Sequence, residues 1–123
     1  MQISEEMQAT IERLSGLPGY ICHGLVNYQK GVSTLNEDSS PMDEANFSPQ
    51  QCTAIITTLK NSLANLDGGQ PDKLIVEAEK MTMMIYPAND TYFCGVGLQP
   101  GTPIDEVAKG LEELRGAFRK QLG

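Results

Sequence analysis

The residues in this sequence that resemble reaction chemistry are Cys22 and His23, a thiol beside an imidazole. A nucleophile and its base must meet within hydrogen-bond reach. Residues 20–28 are rich in β-formers and predict a strand, on which neighbours point to opposite faces. The thiol and the imidazole then diverge, and both read as interior strand residues. Glu77 and Glu79 share one face of another predicted strand, as paired carboxylates for acid–base work or cation binding would. No histidine or third carboxylate stands near them in sequence, so an exposed or edge strand, where charge discourages sheet-to-sheet pairing, is the better reading. The run Asp67-Gly68-Gly69-Gln70-Pro71-Asp72-Lys73 has glycines and a lysine. It lacks the spacing that wraps a phosphate, and it follows a predicted helix where a phosphate loop precedes one. It reads as a turn. Met81, Met83 and Met84 fall in one predicted hairpin, where methionines serve as core packing or as an adaptable binding surface. No catalytic constellation emerges, and the expectation is a protein with no catalytic residues, no cofactor and no metal.

Composition narrows the classes further. The 123 residues fit one domain spanning 1–123, and 40% hydrophobic with 20% charged residues is ordinary for a globular core. Sixteen acids against nine bases leave a net charge of -7, which argues against nucleic acid or an anionic membrane as partner. No apolar run approaches the ~20 residues of a membrane span, so no membrane insertion is expected. Glu5, Glu6 and Glu12 stand where a secretory leader needs a basic then apolar run, which points to the cytoplasm. Cys22, Cys52 and Cys94 are odd in number and lack C-x-x-C spacing, unlike a disulfide framework or a zinc site, and read as reduced packing residues. The triplets beginning at Asn46 and Asn89 match a glycosylation acceptor, which has meaning only in a secretory compartment.

The elements that hold these residues follow from periodicity. Ile3, Met7, Ile11 and Leu14 make one face of a helix over 3–14, ended by Ser15-Gly16 and Pro18-Gly19. A turn at Gln29-Lys30-Gly31 leads to a second strand over 32–35. Residues 36–46 carry four acids, no base and a proline, the composition of a solvated loop. Ser48, Pro49 and Gln51 open a helix by capping, proline at the first position and a capping box. Cys52, Ile55, Ile56, Leu59, Leu63 and Leu66 form its apolar stripe. Strands over 73–79, 82–87 and 92–98 follow as an antiparallel meander. Thr102 as cap and Pro103 at the first position then open a final helix with Val107, Leu111, Leu114 and Phe118 on one face. The order αββαβββα predicts an α+β fold, a five-stranded antiparallel sheet with helices on both faces, an α/β/α sandwich.

The two longer helices differ in what lies opposite their apolar stripes. The final one carries eight charges between residues 103 and 120. The middle one, 48–66, carries only Lys60, and opposite its stripe stand Ala54, Thr57, Thr58, Asn61, Ala64 and Asn65. Small uncharged residues permit close helix approach, whereas solvent-facing helices are normally charged. Ala54, Thr57, Thr58, Lys60, Asn61, Ala64 and Asn65 are therefore the expected dimer or partner interface.

In that order of elements the chain resembles the roadblock / dynein light chain family. The residues that carry the likeness are Leu17-Pro18-Gly19, Lys30-Gly31, Leu74 to Lys80 leading into residues 82–87, residues 92–98 and the closing amphipathic helix. The loop 36–46 is longer than the family's usual link. The resemblance implies a noncatalytic homodimer in which sheets join edge to edge and second helices pair, a scaffold or regulator for a Ras-like small GTPase. Prokaryotic members resemble a gliding-protein type that regulates its GTPase and eukaryotic ones dynein or lysosomal scaffold subunits; the likeness here is to the prokaryotic small-GTPase regulator type. Two other classes compete: a small-molecule sensor of profilin- or PAS-like shape, which needs a roomy pocket within one subunit, and a cysteine enzyme, which needs a low-pKa thiol.

Overall fold

The computed structural model describes residues 2–34 and 48–123, so the acidic segment 36–46 and Leu35, the end of the second expected strand, lie outside the described residues. Ser4 opens helix α1 (Glu5–Ser15) by accepting the Met7 N–H at 3.2 Å, and Glu5 and Glu6 face the positive end of the helix dipole. Its apolar spacing puts Met7, Ile11 and Leu14 on one buried face, with Thr10. A turn through Gly19 (φ 84°) feeds strand β1 (Tyr20–Asn27). A side chain at Gly19 would collide with that of Thr102, so glycine serves both the left-handed backbone and the close approach. Strand β2 is short (Val32–Ser33).

Helix α2 (Pro49–Asn65) starts as its sequence predicts, with Pro49 in the first turn and Ser48 accepting the Gln51 N–H at 3.3 Å. Strands β3 (Leu74–Glu77), β4 (Thr82–Pro87) and β5 (Tyr92–Leu98) form the meander. The expected bounds of β4 and β5 match. β3 is shorter at both ends, because beyond Glu77 the chain turns and Ala78 N–H bonds Met81 O at 2.8 Å. Helix α3 (Asp105–Leu122) begins later than expected, and neither Thr102 nor Pro103 has the predicted role. Ile104 is the cap residue and makes no side-chain cap bond, while the Thr102 hydroxyl donates to Gln99 O at 2.7 Å and closes the preceding turn.

All strand pairings are antiparallel, in the order β2-β1-β5-β4-β3. α1 and α3 pack together on one face of the sheet, so close at Gly110 that a Cβ there would stand 2.6 Å from a Leu14 methyl. Met7, Leu14, Leu25, Tyr86, Val96, Leu111 and Phe118 belong to the core on that side. A smaller core of Cys22, Val26, Tyr28, Ile85 and Phe93 lies on the opposite face beneath Cys52 and Ile56 of α2. Helices therefore cover both faces, as the α+β reading requires.

Candidate interaction surface

Helix α2 leans over β1 and β2 and buries little of its length: only Pro49, Cys52 and Ile56 are fully enclosed. Leu59 and Leu63 are half-buried, while Ile55 is 39% and Leu66 76% exposed. The expected apolar stripe thus divides, with Cys52 and Ile56 toward the sheet and Ile55 and Leu66 toward solvent in the single chain. Ala54, Thr57, Thr58, Asn61, Ala64 and Asn65 are all exposed, and the Thr58 hydroxyl bonds back to Ala54 O at 2.9 Å.

Lys60 departs from this set. It stands four residues after Ile56, on the line that faces the sheet, and its ammonium lies 5.2 Å from the centroid of the Tyr28 ring and 3.5 Å from the Tyr28 hydroxyl. Its aliphatic stem covers apolar surface while the charge reaches the edge. Burial pushes the Tyr28 phenol upward, the Lys60 charge offsetting this in part. The outward face of α2 therefore presents hydroxyls, amides and methyls with no charge from its own helix.

The opposite face of the molecule holds the arginines. Arg115 is 3% exposed and its buried charge is fully partnered. It donates three times to Glu112, at 2.7, 2.8 and 3.2 Å, and to Asp72 O at 2.7 Å and Asp72 Oδ1 at 3.2 Å, and lies 5.0 Å over the Tyr86 ring. Those hydrogen bonds from Arg115 hold the Glu112 carboxyl below the usual carboxylate range despite some desolvation. Arg13 pairs with Glu113 across the α1–α3 crossing at 2.6 Å, and Arg119 donates to Ala88 O at 2.8 Å.

The other candidates of chemistry stand apart. Cys22 lies in the small core under α2, while the His23 imidazole meets the Tyr20 hydroxyl at 2.7 Å through Nδ1. Burial raises the thiol pKa of Cys22, that of Cys52 to about 11 and that of Cys94 to about 12, the reverse of an activated nucleophile. Glu77 is exposed on β3, the last strand of the sheet order, and Glu79 lies in the turn beyond it. Of the three hairpin methionines, Met84 is core, Met83 is half-buried against the α2 side and Met81 is 39% exposed. A groove of about 410 Å³ runs between α1 and α3 over Leu14, Leu17 and Gly110, rimmed by Glu12, Arg13 and Lys109; it opens to solvent. Among the described residues, no helix is long and apolar enough to cross a membrane.

No family model and no curated protein matches the sequence. Solved structures do match the fold over nearly the full chain. A Roadblock/LC7 domain from Streptomyces avermitilis is similar at a TM-score of 0.71 and 12% identity, covering 98% of each chain. MglB of Myxococcus xanthus is similar at 0.77 and 10% identity, again over 98% of each. The gliding protein MglB of Thermus thermophilus is similar at 0.72 and 12% identity, over 94% of this chain and 87% of that one. At such identities these likenesses establish the fold.

Proposed function

From the roadblock fold, we propose that residues 1–123 act as one roadblock-like domain: a noncatalytic homodimeric scaffold or regulator that binds a Ras-like small GTPase in the cytoplasm. The observation that carries this reading is the outward face of α2. It avoids charge, it exposes Ile55 and Leu66, and its small residues allow a second helix to approach closely. Two copies related by a two-fold would pair Ala54, Thr57, Thr58, Asn61, Ala64 and Asn65 with the same residues of the mate, as an isologous interface requires. Another solved structure of this fold, similar at 12% identity and a TM-score of 0.68, is MglB with tetrameric arrangement, and its self-association supports the same reading for this chain.

A platform accelerates GTP hydrolysis either by ordering the GTPase's own groups or by inserting an arginine. Here Arg115 is buried, Arg13 is engaged with Glu113, and Arg119 is engaged with Ala88 O on the rim of a pocket that Lys60 of α2 also lines. Stimulation, where it occurs, works through positioning. The test is capture of small GTPases from solution by the immobilised protein, with each GTPase loaded with GDP or a non-hydrolysable GTP analogue. Capture that depends on the nucleotide supports the proposal. Equal capture in both states, or none, contradicts it.

A further inference from the structure

Arg13, Lys73, Arg115 and Lys120 each stand within 3.4 Å of a carboxylate. Lys60 and Arg119 do not. Among the described residues no acid comes within ion-pair reach of either, in a chain that holds sixteen acids. These two cations belong to helices on opposite faces of the sheet, Lys60 to α2 and Arg119 to α3. They meet at one end of it, where both line a pocket of about 120 Å³ together with the turn between β4 and β5. The pocket opens to solvent, and Asp90 is the one acid in its lining. Two cations against one carboxylate leave it with one net positive charge.

Each cation is held in place and still has donors to give. Arg119 donates through Nε to Ala88 O at 2.8 Å and through Nη2 to Pro87 O at 3.4 Å, which leaves Nη1 without an acceptor among the described residues. The Tyr28 hydroxyl donates to Asn89 O at 2.6 Å, so its oxygen receives the Lys60 ammonium at 3.5 Å. An ammonium carries three N–H donors, and that long contact occupies one. The Asn89 Oδ1 accepts the Thr91 and Tyr92 N–H groups, both at 2.8 Å, and its NH2 group keeps its donors. The Gln70 amide lines the pocket from the loop before β3. Donors therefore converge from four parts of the chain. The space is too small for a nucleotide or other ligand that needs ~300 Å³ or more. A planar carboxylate offers two oxygens in one plane, whereas a tetrahedral oxyanion offers four and answers donors on several sides.

We propose that this pocket binds a single phosphate group, free or at the end of a small phosphomonoester. Lys60 and Arg119 supply the charge, and the Asn89 and Gln70 amides supply neutral donors. Asp90 opposes the ligand and sets its affinity below what the two cations alone would give. A bound phosphate links α2 to α3 across the end of the sheet, and the site does not depend on which partner covers the outward face of α2.

The experiment titrates the full chain with sodium phosphate at constant ionic strength, balanced with chloride, and follows backbone amides by proton–nitrogen correlation spectra. Saturating shifts confined to Lys60, Gln70, Arg119 and the turn from Ala88 to Asp90 are expected, with a higher melting temperature. Lys60→Met keeps the aliphatic stem over Tyr28 but removes the charge, and should weaken binding roughly tenfold. Asp90→Asn removes the opposing carboxylate and should tighten binding severalfold. Lys109→Met, in the groove between α1 and α3, should bind as the parent does. Acetate should bind severalfold more weakly than phosphate. Glycerol phosphate distinguishes the two sources of the group, since binding equal to that of phosphate supports an esterified ligand and much weaker binding supports free phosphate. Absence of a saturable shift with millimolar phosphate overturns the proposal. So do equal shifts around the exposed Lys80 and Lys109, acetate binding as tight as phosphate binding, or Lys60→Met and Asp90→Asn variants that both bind as the parent does.

Discussion

Helices α2 and α3 are nearly equal in length, at 17 and 18 residues, and both are amphipathic, yet the fold uses them differently. α3 encloses Val107, Leu111, Leu114, Arg115, Ala117 and Phe118 and turns charge to solvent. α2 encloses three residues and turns uncharged side chains and two large apolar ones outward. Hydrophobic periodicity specifies which side of a helix meets its own sheet. The composition of the other side specifies whether water or another protein meets it. α3 is finished within one chain; α2, on the function proposed above, is finished by a second.

Truncation should separate the two helices most sharply. Phe118→Ala removes a fully buried ring at the centre of the larger core, where it also meets Tyr92 edge-on at 5.7 Å between centroids. It should cost about 3–5 kcal/mol in denaturant unfolding, at any protein concentration. Ile55→Ala on α2 should cost the isolated chain ~1 kcal/mol or less, since much of that side chain is already in water. Its effect should instead grow with protein concentration, as association is lost. Equal, concentration-independent losses for the two variants would erase the distinction between the helices.

Much of this contrast is legible in the sequence, because caps and stripes are local. The Ser48–Pro49–Gln51 start, the bounds of β4 and β5 and the uncharged outer face of α2 all follow from near neighbours. What escapes a sequence reading depends on partners far along the chain. Lys60 looks like a surface lysine until Tyr28 arrives beneath it, although its place four residues after Ile56 is a usable signal. Arg115 looks like a C-terminal charge, but it lies four residues after Leu111 on the buried line and meets Asp72, 43 residues away. The start of α3 is misleading because Thr102 and Pro103 have cap chemistry that the local turn consumes.

A smaller effect probes the charged side of the comparison. The Arg115 hydrogen bonds depress the folded pKa of Glu112, so the pair contributes stability above the unfolded carboxylate value of about 4.3, and that contribution is lost as pH falls through the depressed folded value. Chemical denaturation of the parent and of Glu112→Gln should therefore differ most near neutrality and converge in acid. A gap that stays constant down to a pH of about 2, well below the unfolded carboxylate value, would show that the pair's electrostatics contribute nothing to the pH dependence.

The function proposed for the outer face of α2 turns on another protein surface, first of all a second copy of this chain, covering it. Light scattering coupled to size exclusion at micromolar concentration measures this directly, applied to the parent and to the double variant Thr57→Glu, Asn61→Glu. Both positions are exposed in the single chain, so the variant should fold and keep its helical content, while like charges facing each other across a two-fold should cost the dimer roughly several kcal/mol. The expected result is a parent of twice the 13.4 kDa chain mass and a variant of one chain mass. A monomeric parent, or a variant that stays dimeric with unchanged melting, would contradict it.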